Sequence, residues 1–288
     1  MKKDKTDYKM SNKSDKKKNI EVPKQGVREK YFSHSIFKTL SDIKDFYESL
    51  SGNDDTSTIL AIKGEINVNC SILESLSNTI DSIITLLERG HVNDSLALMR
   101  KYSDAVFLHV YMLMLIEQGE QNFFEKEYTD IYDNVLNQWV RGESCLIEKQ
   151  DKDEKTDAYL AEIRKRDAIL TNLLFTKGNK TLYGEGRASF NDNIHYNNLE
   201  SFRWNNDAFL DYETCLIVLT QAEKAIKLIL TIHFAYITLL RPMALKTEDV
   251  GSCEVAHFAD EIFKKYIVPE YSELSSYLKH CSFLTFEE

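Results

Sequence analysis

"CLIVLTQAEKAIKLILTIHFAYITLLRP", residues Cys215–Pro242, decides the fold. In it Leu216, Leu219, Ala222, Ile226, Ile229, His233, Ile237 and Leu240 recur at steps of three and four. That spacing stacks side chains on one face of an α-helix. From Leu228 to Leu240 the run is nearly uncharged and apolar on every side, as in a helix enclosed by protein. Its 13 residues fall short of the roughly 18 needed to suggest a bilayer span. Pro242 follows at once, where a helix must stop. The pattern predicts a helix over 207–241, the longest in the chain, with one face at the centre of a bundle.

Working outward, the same periodicity returns. Ile36, Leu40, Ile43, Phe46 and Leu50 predict a helix over 34–50, ended by "SGNDD". Cys70, Leu73, Leu76, Ile80, Ile83 and Leu87 predict another over 57–89, closed by Gly90. Asn93 or Asp94 is suited to cap the next helix, which runs to about Glu117. Its first half carries Leu96, Met99, Ser103 and Val106, and its second half, "AVFLHVYMLMLI", is apolar all round. Helices are also expected over 121–142 (Phe124, Tyr128, Ile131, Val135, Trp139), over 157–176, and over 253–280 with an interruption at Pro269. Between 143 and 157 the charged, poorly periodic "ESCLIEKQDKDEKTD" reads as a surface loop. Three prolines and ten glycines in 288 residues leave few turn residues, which favours long helices over sheet. The expected fold is all-α, a single bundle of about seven helices over 31–288, with a Lys/Asp-rich disordered tail over 1–30.

Charge narrows the partners. The net charge is −10, yet residues 1–19 carry +5, leaving −15 on the rest. An acidic body is repelled by phosphate backbones, so DNA and broad nucleic-acid binding are not expected, although a local basic pocket for RNA remains open. The tail has no apolar core and reads as neither signal peptide nor membrane anchor. Five scattered cysteines without a CxxC read as reduced thiols, consistent with a cytoplasmic protein. No Walker loop, GxGxxG, GxSxG or HExxH occurs, so no cofactor is expected. In "CEVAHFADE", Glu254, His257 and Glu261 form one Glu-x-x-His step; a di-iron bundle needs two, so no metal is expected.

One segment departs from the pattern: "YGEGRASFNDNIHYNN", Tyr183–Asn198. If helical, it places Arg187, Asn191 and His195 on one broad face, with Leu182, Phe190 and Ile194 as anchors. A histidine that titrates near neutrality, an arginine that holds phosphate and an asparagine that orients either would suit metal-independent RNA cleavage. The same residues also read as a run of caps and turns. Arg100 and Asp104, i and i+4 at the start of an apolar stretch, read first as a paired ion bridge fixing helix register. Arg100 could instead reach toward the His195 face. His109 and His233 lie inside apolar helices as core histidines and would form a polar pocket if they shared a cavity with His195. Arg28 and His34, "REKYFSH", are read as a chance pair.

Tyr183, Ser189 and "NIHYN" together resemble a helix of uncharacterised bacterial all-helical proteins, in which an aromatic, a serine and a His-Xaa-Asn close one helix. "SLALMRKYSDAVFLHVYMLML" is similar to their central helix, with Arg100 and Asp104 in the places of an arginine and an acid, and "LLRP" looks like the end of their last core helix. That group distantly resembles the HEPN superfamily, whose signature is an Arg and a His separated by about four to six residues on one helix. Here seven residues lie between Arg187 and His195. The resemblance implies a homodimer in a stress or phage-defence system, acting as a regulatory module with a partner protein or as an endoribonuclease through His195, Arg187 and Asn191. Tyr183, Ser189, Arg100 and Asp104 would then be binding residues.

Overall fold

A computed structural model describes residues 25–52, 68–121, 138–140, 142, 159, 161–163, 165, 172, 190–191, 199–206, 212–245 and 253–281. Of this part 92% is helical and none is strand, so the all-α expectation holds.

Helix α1 (Gln25–Phe32) begins inside the span assigned to the tail. Its Tyr31 is buried and donates its hydroxyl hydrogen to the carbonyl of Leu87 at 2.8 Å. That carbonyl belongs to the last turn of the next-but-one helix, where the regular i+4 donor, the His91 N–H, goes to Leu86 instead. Helix α2 (Ser35–Ser51) starts at His34, whose Nδ1 accepts the N–H of Ile36 at 3.1 Å. Its predicted face is buried throughout, from Ile36 to Leu50.

Helix α3 (Val68–Glu88) buries Leu73, Leu76, Ile80, Ile83 and Leu87, while Cys70 is only half-buried. Gly90 closes it at φ 79°, a left-handed conformation that side chains with a Cβ resist. The N–H groups of Gly90 and His91 then reach the carbonyls of Leu87 and Leu86, each at 2.9 Å.

Helix α4 (Val92–Gln121) has 30 residues. The expectation that Asn93 or Asp94 caps it needs correcting, because both lie inside the first turn and Asn93 is buried. The cap comes from helix α5 (Leu199–Asn206), which the hydrophobic pattern did not reveal. Asn205 Oδ1 accepts the N–H of Asp94 at 3.1 Å, and Asn205 Nδ2 donates to Asp94 Oδ1 at 2.7 Å. This reciprocal clamp serves an exposed backbone donor from 111 residues away.

Helix α6 (Tyr212–Leu240) has 29 residues and α4 has 30; residues 207–211 of the expected helix lie outside the described residues. Leu219, Ala222, Ile226, Ile229, His233 and Ile237 are buried as the spacing required; Leu216 and Leu240 lie at the margin. A 3₁₀ segment (Pro242–Leu245) comes next, and helix α7 spans Cys253–Ile262. α7 widens into a π turn over Phe263–Ile267, in which Val268 N–H reaches back five residues to the carbonyl of Phe263 at 3.0 Å. Pro269 explains the widening: it has no N–H for the carbonyl of Lys265, so the helix cannot continue in α form. Helix α8 (Ser272–Cys281) follows.

α2, α3 and α4 pack in sequence, and α6 lies against both α2 and α4; α7 covers α2 and α8 leans on α6. One core joins them, with Phe46, Phe107, Phe234 and Phe263 among its fully buried rings. Each such side chain is worth roughly 1.5–3 kcal/mol in area removed from water. The predicted helices over 121–142 and 157–176 lie largely outside the described residues, as does the loop over 143–157. Residues 138–140, 159, 161–163, 165 and 172 are helical, and Tyr159 and Ile163 are buried. Among the described residues no helix is long and apolar enough to cross a membrane.

Candidate functional site

Of the residues singled out in the polar segment, Tyr183, Arg187, Ser189 and His195 lie outside the described residues. Asn191 lies within them. It is helical and half-buried, and its neighbour Phe190 is buried in the core. Arg100 and Asp104 form an ion pair at 2.5 Å, with Arg100 buried and Asp104 40% exposed. The pairing is as expected, but both partners sit on α4, so the bridge cannot set the register between helices. His257 is exposed, and Glu261, 3.8 Å from it, is also held by Lys265 at 3.1 Å. No group of three or more His, Cys, Asp or Glu side chains close enough to hold a metal occurs among the described residues. Arg28 lies over the ring of Phe32, 5.6 Å from its centroid, while His34 turns to the α2 cap and to Thr220, so the two do not act together.

The interior holds a polar constellation that the sequence suggested only in fragments. His109 of α4 and His233 of α6 are not lone core histidines. His109 Nδ1 and His233 Nε2 are 2.8 Å apart, 124 residues distant in the chain. The remaining nitrogens are also engaged: His109 Nε2 lies 3.3 Å from Asn69 Oδ1 on α3, and His233 Nδ1 lies 2.8 Å from Tyr47 Oη on α2. Tyr47 Oη is in turn 2.8 Å from Tyr102 Oη on α4. Five side chains from four helices therefore form one chain of hydrogen bonds. All five are buried, and His233, Tyr47 and Tyr102 are 0% exposed.

The Asn69 end sets the direction of this chain. Asn69 presents its carbonyl oxygen, which can only accept, and this assigns the His109 proton to Nε2 and leaves Nδ1 as the acceptor. His233 then donates through Nε2 and accepts at Nδ1, Tyr47 donates to His233, and Tyr102 donates to Tyr47. Every hydrogen points the same way, and bonds so aligned polarise and strengthen one another. The order requires both rings to be neutral. Burial favours that, pushing His109 down to about 3 and His233 well below the usual histidine value, where His109 adds to the effect. Burial likewise raises Tyr47 and Tyr102 above the ordinary phenol range. Beyond Asn69 and His109 lies a cavity of about 20 Å³, edged also by Arg241 and Leu113. It is about the size of one water molecule and far too small for a substrate.

Two further polar clusters fasten the outer seams. Glu223 of α6 is 5% exposed and accepts from Ser35 Oγ at 2.6 Å, Thr39 Oγ1 at 2.9 Å and Lys227 Nζ at 2.8 Å. Asp42 of α2 accepts from Tyr266 Oη at 2.7 Å and pairs with Lys38 at 2.7 Å and Lys265 at 3.2 Å. Burial alone would raise both carboxyls, but these partners outweigh it and hold them below the usual carboxylate range. Sequence reasoning missed both clusters. The one outward signal was Glu223 itself, an acid standing on the buried side of a strongly periodic helix. On the surface, an open groove of about 370 Å³ between α3 and α4 is lined by Ser71, Ser75, Thr79, Ser82, Leu98 and Lys101, among others.

Compared with known proteins, the chain matches no family model, no curated sequence and no solved structure. The described residues define an all-α body whose helices are tied at the centre by a neutral, one-directional histidine–tyrosine chain.

Proposed function

We propose that the chain is a helical interaction and regulatory module of a bacterial stress or phage-defence system, working as a second-copy or partner-protein complex. The observation that carries this reading is the commitment of the core histidines. Both nitrogens of His109 and of His233 are bonded to neighbouring side chains, and both rings are neutral and buried. Such groups hold helices in place; they are poorly suited to exchange protons with a substrate at neutral pH. Glu223 and Asp42 are spent in the same way, on joining α2 to α6 and to the π turn. A rigid helical body of this kind suits recognition through its outer faces.

A second reading, a metal-independent endoribonuclease acting through His195 and Arg187, is favoured by one observation. Phe190 is buried in the core and Asn191 is helical, which is what an anchored helical Arg187–Asn191–His195 face requires. Incubating the purified protein with total RNA, with and without EDTA, separates the two. The module predicts intact RNA, and a cellular phenotype that survives both His195→Ala and Arg187→Ala. Cleavage that persists in EDTA and disappears in folded His195→Ala protein would replace it with the ribonuclease.

A further inference from the structure

The hydrogen-bond chain through the core has a limited capacity for protons, and that capacity can be counted. In the neutral chain each of the four bonds has one hydrogen. A single added proton can be placed without losing any of the four bonds: it goes to His233 Nδ1, which then donates to Tyr47, and the two tyrosine hydroxyls reverse, Tyr102 turning its hydrogen out of the chain. A second proton cannot be placed, because it would set two N–H groups against each other across the 2.8 Å contact of His109 and His233. Even the first leaves a cation in the core.

The side chains bonded to that pair carry no charge to neutralise it. From α2 it meets Tyr47, from α3 Asn69, from α4 Tyr102, and just beyond α6 Arg241, a second cation edging the same cavity as His109. The charged side chains nearest His233 in sequence are Lys227 on α6 and Arg241 just after it. On α4 Asp104 is taken by Arg100, and the next acid, Glu117, lies about two turns beyond His109 with one carboxylate oxygen buried. Of the acids of α2 and α3 closest in sequence to the chain, Asp45 is half-buried and Glu48 and Glu74 are exposed.

We propose that the His109–His233 pair is an acid-operated lock on the seam between α4 and α6, closed while both rings are neutral and released when the pair takes up protons. The lock is independent of what the module binds. Both rings become free to ionise only once the seam opens, so opening is linked to the uptake of two protons. Burial, which holds both histidines below their ordinary value of 6.5, acts in the same direction. Stability from the neutral pair is complete above about pH 6.5 and declines as the pH falls below it.

Hydrogen exchange of the α6 amides over residues 228–238, corrected for the intrinsic pH dependence of exchange, tests this on the full chain. Between pH 6 and pH 5 the opening equilibrium should rise by up to about a hundredfold per pH unit, one factor of ten for each proton. In His109→Gln, where the amide can still donate to Asn69 and accept from His233, the rise should fall to about tenfold. Equal slopes in the two proteins would overturn the proposal. Should His109→Gln fail to fold, the wild-type imidazole resonances decide. They should stay neutral until the α6 amides lose protection, and a ring that titrates near pH 6.5 with those amides still protected would refute the lock.

Discussion

Replacing Tyr47 with Phe removes one oxygen from the middle of the core and changes almost nothing else in shape. That oxygen makes two bonds of 2.8 Å, donating to His233 Nδ1 and accepting from Tyr102 Oη. Without it a buried imidazole nitrogen loses its donor and a buried hydroxyl loses its acceptor. An orphaned buried polar group costs about 1–3 kcal/mol, so Tyr47→Phe should cost about 3 kcal/mol. Tyr102→Phe makes a different cut. It removes the first donor of the chain and leaves Tyr47 still bonded to His233, so about 1 kcal/mol is expected. In the double variant Tyr102 Oη is no longer there to be orphaned, and the two costs should fall short of adding by about 1 kcal/mol. Urea denaturation at pH 7.5 reads all three as shifts in midpoint at constant slope. A Tyr47→Phe protein within about 0.5 kcal/mol of wild type, or a Tyr102→Phe protein equally damaged, would refute the one-directional chain.

Three other substitutions probe the seams. Asn205→Ala should cost about 1 kcal/mol in the same denaturation experiment and raise amide exchange at Asp94, because it removes the cap that α5 supplies to α4. Gly90→Ala, at φ 79°, should cost about 1 kcal/mol, seen as a lower thermal midpoint with the helical circular dichroism retained. Glu223→Ala strips an acceptor from Ser35, Thr39 and Lys227 and should destabilise by about 3 kcal/mol, with Glu223→Gln recovering part of the loss. Because the carboxyls of Glu223 and Asp42 are held below their ordinary values of 4.5 and 3.8, their contribution is complete above those values and is lost as the pH falls below them. Glu223→Ala should therefore flatten the acid limb of the stability profile below about pH 4.5.

The parts of this fold that local spacing could reveal are those in which one helix face meets water and the other meets oil. The stripe from Leu219 to Ile237 is buried as read, and so are the faces of α2 and α3. Gly90 and Pro269 act where they stand, because a left-handed backbone and a missing N–H are properties of single residues. The cap of α4 was misplaced for the opposite reason. Asn93 and Asp94 look like caps locally, but Asn205 reaches the helix end from another element. The buried acid Glu223 was hidden in the same way, since its acceptable burial depends on Ser35 and Thr39 of α2. The histidines lie between these cases. Their positions in apolar runs signalled that each needed a partner, but nothing local could say that each would find the other. Of the polar segment, only Phe190 and Asn191 lie within the described residues, and Arg187 and His195 rest on sequence alone.

Two neutral imidazoles in one defined tautomeric order join α4 to α6, and nitrogen NMR of histidine-labelled protein reads that order directly. At pH 7.5 both His109 and His233 should be protonated on Nε2 and bare on Nδ1, each Nδ1 shifted by an accepted hydrogen bond, and a coupling across the 2.8 Å bond should connect His233 Nε2 to His109 Nδ1. An imidazolium at either position, or protonation on Nδ1 in both rings, would contradict the account.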